Sequence, residues 1–252
     1  MAVVSEPDPI AVVVANMGAR LDALAPGDRV RREFLGTYQR TTLAVGSAIE
    51  RGVFENGEWV EAWDVAFAKL YLAALDADLT GTGHIPRPWR LAFGAPAELP
   101  SLRHVLLGIN AHINFDLPQA LLAVITADEF ANPRVLDSRR RDHERIDSVL
   151  SARVAAEDDE LSARSPRSLL DRALQPLNQR ASKRFLREAR LKVWHNTMEL
   201  QDARLQGPHA YAIRLAELEL LSAARIADLL APGQVLLKLA VAGFGVTLPP
   251  PA

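Results

Sequence analysis

The amino-acid sequence predicts an all-α fold, and three observations carry that prediction. Apolar residues recur at spacings of three and four through most of the chain. No alternating β-branched run is bounded by an Asn-Gly or Asp-Gly turn. Prolines and glycines stand between the periodic segments, where helices start and stop. With 252 residues, 49% hydrophobic and 24% charged, the chain has the composition of a folded protein and enough apolar material for one helical domain over residues 1–252.

A first helix is expected from about Pro9 to Leu24, with Asp8 as its cap, Pro9 at the first helical position and Ala25-Pro26-Gly27 as its stop. It would pack Ile10, Val13, Val14, Met17 and Leu21. A second runs from about Asp28 to Glu50, carries Phe34, Tyr38, Thr41, Thr42 and Val45, and ends at Gly52. A third, about Glu58 to Ala77, puts Val60, Trp63, Phe67, Leu70 and Tyr71 on its core side.

Residues 78–100 hold four prolines and three glycines and read as an irregular stretch. Trp89 and Phe93 argue that it is an ordered flap, because disordered segments are poor in aromatics. A central helix follows from Ser101 to about Thr126, interrupted near Asn114 by Pro118, which lacks an N–H. Beyond it the pattern gives a charged helix from about Asp137 to Ala163 and a short one from about Ser168 to Leu177. A basic helix from about Arg180 to Leu205, an apolar one from about His209 to Leu230, and a short apolar one over Val235 to Phe244 complete the bundle of about eight helices.

Composition excludes several classes of function. There are no cysteines, so disulfides, thiolate metal sites and cysteine nucleophiles are ruled out. A net charge of −2 gives no reason to expect DNA as partner, since phosphate neutralisation needs an excess of Lys and Arg. The N-terminus lacks the pattern of a signal peptide and no window has the apolar length of a membrane span, so a cytoplasmic location is expected. No serine nucleophile elbow, phosphate loop, or flavin or nicotinamide signature occurs.

The chemistry-bearing segment is His104-Val-Leu-Leu-Gly-Ile-Asn110-Ala-His112-Ile-Asn114-Phe-Asp116-Leu-Pro118-Gln119. A core-like helix here holds a cluster of polar side chains, each costing about 1–3 kcal/mol if buried without a partner. His112 and Asp116 lie one turn apart on one face, roughly 6 Å along the axis. They suit an acid–base pair or two ligands of a divalent metal, the one cofactor these residues would fit. His104 lies two turns away, about 12 Å from His112, too far to share a metal with it. Further ligands would have to come from Asp64, Asp142, His143, Asp147 or His195. Equally, His112, Asn114 and Asp116 would serve as a structural spine, bonding carbonyls freed by Pro118 and tying neighbouring helices together.

The segment Gly108-Ile-Asn-Ala-His-Ile-Asn-Phe-Asp-Leu-Pro118 resembles the signature of a largely actinobacterial, all-helical family of unknown function. Tyr38 with Thr41, Trp63-Asp64-Val-Ala-Phe67 before Tyr71, and Trp89 extend the resemblance over roughly residues 10–155, with a more divergent helical part at 156–246. It implies the helical fold and the importance of His112, Asn114 and Asp116, and no activity.

Other charged features read as solvated surface. Glu157-Asp-Asp-Glu160 resembles a diphosphate-binding acidic motif, but Asn178 and Ser182 are followed by Leu186 where a third ligand, Glu, would be required. Arg180, Lys183, Arg184, Arg187 and Arg190 form one side of a basic helix.

Together these residues point to an enzyme acting on a small, largely hydrophobic molecule in a pocket within the bundle. His112 would be acid, base or metal ligand, Asp116 its partner and Asn114 an orienting group. Tyr38, Asp64, Trp89, His104 and Asn110 would line the site. Hydrolysis, isomerisation and cyclisation all fit, and the opposing reading is a non-enzymatic binding or interaction module with a buried polar spine.

Overall fold

The computed structural model describes residues 7–164, 169–233, 239 and 243–251, with side chains described outside 151–186. The fold is all-α, and its first helices begin where short polar side chains can accept from otherwise unpaired N–H groups. Asp8 accepts from Ile10 N at the start of α1 (Pro9–Ala23), Asp28 from Arg31 N before α2 (Arg29–Glu50), and Asn56 from Trp59 N before α3 (Gly57–Thr80). Gly81, with φ of +66°, ends α3 in the left-handed conformation.

The stretch 78–100 is more regular than expected. Its first residues complete α3, and Arg87–Phe93 form α4. Pro86 and Pro88 stand at the cap and in the first turn of α4, where a proline's missing N–H costs nothing. Trp89 and Phe93 are buried from this helix.

The expected central helix is three consecutive pieces: α5 (Ser101–Ala111), a π-turn (His112–Asp116) and α6 (Leu117–Val124). Leu107, Ala111, Leu117, Ala120 and Leu121 along this rod are fully buried. Around it, α1 packs on α2 and α3, α3 on α6, α6 on α9, and α10 on α9, α4 and α5. The short α7 (Ala127–Phe130) has a capping box between Thr126 and Glu129 and leads into α8 (Pro133–Arg164).

The two helices expected on either side of Leu177 are one, α9 (Leu169–Gln206). Local propensity at Pro176 is a weak signal against long helical runs on both sides. The last long helix, α10, spans Pro208–Leu230. Most of the short helix expected at 235–244 lies outside the described residues; Gly243 and Phe244 are not helical, and 245–251 have no helical or strand structure. No helix among the described residues is long and apolar enough to cross a membrane.

Candidate functional site

The site is built on the π-turn. Pro118 cannot donate to the helical ladder, and in the turn that precedes it the Leu117 N–H reaches back five residues to His112 O. Gln119, rather than His112 or Asp116, satisfies a carbonyl here, its Nε2 donating to Phe115 O at 2.8 Å. That leaves the polar side chains of the turn free for other partners.

His112 and Asp116 bond to each other, with Nδ1 and Oδ2 2.8 Å apart. The indole Nε1–H of Trp89, presented by α4, donates to the same carboxyl oxygen at 2.8 Å. The imidazole is enclosed by rings from three helices. Phe67 of α3 stacks face to face on it, with centroids 3.5 Å apart and planes 4° from parallel. Tyr38 of α2 meets it edge-on at 4.5 Å. Phe34, Tyr71 and Trp89 complete the box at 5.9, 5.9 and 5.8 Å. Phe67 alone among the walls is only half-buried.

Gly108 makes this box possible. A Cβ at that position would fall within the Phe34 side chain, so only glycine lets α5 approach α2 closely enough to hold Phe34 against the histidine. Phe34 and Tyr38 are one turn apart on α2, as are Phe67 and Tyr71 on α3. The sequence points to Tyr38 as a site residue, whereas Phe34, Phe67 and Tyr71 read as core; two such aromatic pairs on consecutive helices are the available signal for a box.

Burial sets the protonation of the pair. It holds the His112 imidazole well below its ordinary range and the Asp116 carboxyl well above, Trp89 opposing the latter shift. The pair is therefore driven to zero net charge, with one proton in the Nδ1···Oδ2 bond. With the carboxyl proton on Oδ2 facing Nδ1, or with the imidazole doubly protonated against a carboxylate, Nε2 carries a proton, and His112 Nε2 has no hydrogen-bond partner. Asp64 is buried, its Oδ2 lacks a partner, and desolvation raises its carboxyl to about 7. The Tyr38 phenol is held neutral first by burial and then by Asp64 and Asp116, both within electrostatic reach of it.

Of the other expected site residues, Asn114 turns away from the pair. Its amide bonds Asn110 Oδ1 and the backbone of Phe244 and Val246. Asn110 Nδ2 donates back to Leu106 O. His104 is buried, with neither ring nitrogen bonded, and no contact brings it to the pair. Thr41 donates to Thr37 O within its own helix, while the Thr42 hydroxyl is buried without a partner.

Of the other residues weighed as additional metal ligands, Asp142, Asp147 and His195 are bonded elsewhere. Asp142 accepts from the N–H groups of Glu55 and Asn56. Asp147 accepts from Arg190, which is buried rather than on a solvated face. His195 Nε2 donates to Leu248 O. His143 packs between Trp63 and Trp194. Among the described residues no group of three or more His, Cys, Asp or Glu side chains is placed to hold a metal ion. The acidic run 157–160, Asn178, Ser182, Leu186 and the basic residues 180–184 fall where side chains are not described.

Fold and cluster together define an all-helical protein whose central rod is broken by a π-turn carrying a buried His–Asp pair. The chain belongs to the DUF5995 family, a family of unknown function, whose model matches residues 10–232. The match extends past the 10–155 stretch that carries the motif resemblance and takes in α8, α9 and α10. No curated protein and no solved structure matches the chain.

Proposed function

We propose that this protein is an enzyme that performs acid–base chemistry on a small, largely hydrophobic molecule, with His112 as the proton donor and acceptor. The observation that supports this best is the asymmetry of the imidazole. One nitrogen is bonded to Asp116 and the other has no partner within the aromatic box; in this reading the unpartnered Nε2 carries the proton. A substrate carbonyl, hydroxyl or ring nitrogen at Nε2 would accept that proton. The pair would then hold a negative charge delocalised toward Asp116 and stabilised by the Trp89 N–H, ready to take a proton back. Asp116 orients and charges the imidazole, and Tyr38 is a second neutral donor at its edge.

The half-buried Phe67 is the natural entry point, since a change of its rotamer would bare the imidazole face to a flat apolar molecule. Asn114 holds the π-turn in place in this reading and does not touch substrate. Metal-assisted chemistry is less well supported, because Nδ1 and Oδ2 are spent on each other and no third His, Asp or Glu is grouped with them among the described residues.

The experiment is a titration of imidazole-15N-labelled protein with quinoline, whose ring nitrogen accepts a hydrogen bond, and with 1-indanone, the second also followed for exchange of its α-hydrogens in D2O, in which Nε2–H donates to the carbonyl oxygen and water takes the α-proton. Saturable perturbation of His112 Nε2, and α-hydrogen exchange lost in a folded His112→Phe variant, are the expected results. A second reading, the buried polar spine, is favoured by the near-complete burial of His112, Asn114 and Asp116. It stands if neither probe reaches Nε2 at any concentration.

A further inference from the structure

The segment Gly243-Phe-Gly-Val-Thr-Leu-Pro-Pro250 turns at Gly243 (φ +74°), has no helix or strand structure, and is held against α9, α10 and the π-turn by side chains that bond its backbone. The Asn114 amide spans two residues of it, donating to Phe244 O at 3.3 Å and accepting from Val246 N at 3.2 Å. Asn196 repeats the arrangement one dipeptide further on, donating to Val246 O at 3.0 Å and accepting from Leu248 N at 2.9 Å. Lys192 donates to Gly245 O, His195 to Leu248 O and Arg214 to Pro249 O, at 3.0, 3.2 and 2.7 Å.

Two side chains anchor the segment. Leu248 is buried among Phe115, Leu122, Leu200 and Leu218, in an apolar cluster separate from the main core, and Phe244 enters the main core. Thr247 and Pro250 face outward. Gly245 is required by contact, since a Cβ there would stand 2.8 Å from Lys192 Cδ and 3.3 Å from Ala189 Cα. Carboxamides that mimic a strand edge, pockets for alternate anchors and a steric demand for glycine are the elements by which proteins recognise extended peptides.

Asn114, Lys192, His195, Asn196 and Arg214 all lie within the family match, whereas 243–250 lies beyond its end at 232. We propose that α9, α10 and the π-turn form a binding groove for an extended peptide of the pattern Phe-Gly-x-x-Leu-Pro, and that residues 243–250 are its resident ligand, docked reversibly in cis. The positions bonded through N–H, 246 and 248, exclude proline, and 249 accepts it because no N–H is read there. This inference rests on the tail contacts and is independent of proton transfer at His112.

The test uses the full chain and a fluorescent peptide of residues 243–251. In the unmodified protein the tethered tail competes at high effective concentration, so peptide uptake is at least about tenfold weaker than in Leu248→Asp, whose own tail has lost its anchor. Adding Asn196→Ala to Leu248→Asp removes two backbone hydrogen bonds and weakens uptake by roughly tenfold or more. A peptide that itself carries Leu248→Asp is not taken up. The proposal is overturned if folded Leu248→Asp protein takes up no peptide, or if uptake is indifferent to Asn196. Should Leu248→Asp fail to fold, hydrogen exchange of the unmodified chain decides. A docked ligand exposes the Val246 and Leu248 amides at least about tenfold more often than the Leu121 amide of α6, whereas equal protection makes the tail an integral layer of the fold and ends the proposal.

Discussion

Of the three histidines buried among the described residues, His112 and His143 have surroundings that differ in a way that separates a candidate site from core. Both imidazoles are pushed well below their ordinary range by desolvation. His112 has one nitrogen bonded to a carboxyl and is otherwise walled by rings, so it can pass a proton and leave the charge with Asp116. His143 has neither nitrogen bonded and sits between two indoles. Arg190 and Arg140 add to the burial in disfavouring its protonation. A histidine that bonds no carboxyl and feels two arginines has no acceptor placed to share a second proton. Burial is common to both; the adjacent carboxyl makes the difference.

The largest effect expected from breaking this contrast is at Asp64, which acts on Tyr38 of the box and follows Trp63, the ring beside His143. Its carboxyl is raised to about 7 in the folded chain from an ordinary 3.8. The folded state therefore binds more protons than the unfolded state between those values, and stability falls as pH rises from about 4 to 7. The Asp64→Asn variant should lack that loss, gaining up to about 4 kcal/mol over the unmodified protein at pH 8 relative to pH 4. Urea denaturation at the two pH values measures it. Parallel pH dependence in the two proteins would mean that Asp64 is ionised and solvated.

Gly108→Ala comes next. With Cβ driven into Phe34, α5 must move away from α2 or Phe34 must leave the box, at about 3 kcal/mol. The same change should shift the His112 ring resonances while leaving those of His143 in place. Equal disturbance of both rings would show that the box is not a local unit.

How much of this was legible in the sequence depends on the range of the interaction that decides it. Capping at Asp8 and Asp28 and the stop at Gly81 are local, and the first three helices follow from them. The break at Asn114 followed from Pro118, but its form as a π-turn did not, because it depends on which backbone carbonyl each amide finds. His112 and Asp116 were readable as a pair from their spacing. Trp89 was readable as a residue lining the site but not as a donor to Asp116, since that bond joins residues 27 positions apart. Asn114 was assigned to the site on proximity along the chain. Its true partners, Phe244 and Val246, are 130 and 132 positions away, beyond any periodicity argument.

Trp89→Phe sharpens the contrast at smaller cost. It keeps a ring in the box and removes the N–H to Asp116, which should lower stability by about 1–2 kcal/mol. Because that bond lowers the Asp116 carboxyl against the effect of burial, its loss raises the carboxyl further. The neutral, Nε2-protonated pair then persists to higher pH, and imidazole 15N shifts should record the displacement. An unchanged titration would place the proton of the pair wholly on His112, outside the influence of Trp89.

The smallest effect is expected at His143. Replacement by leucine removes two nitrogens that bond nothing and keeps an apolar group between Trp63 and Trp194, so stability at pH 7 should stay within about 1 kcal/mol. The sign at lower pH is definite. A histidine held neutral when folded but free to protonate when unfolded makes the unfolded state bind more protons below about 6.5, so it subtracts stability as pH falls. His143→Leu should therefore be the more stable protein at pH 5, by a margin absent at pH 8. If the variant instead loses several kcal/mol at pH 7, His143 has a bonded role comparable to that of His112, and the presence of a carboxyl no longer distinguishes the two sites.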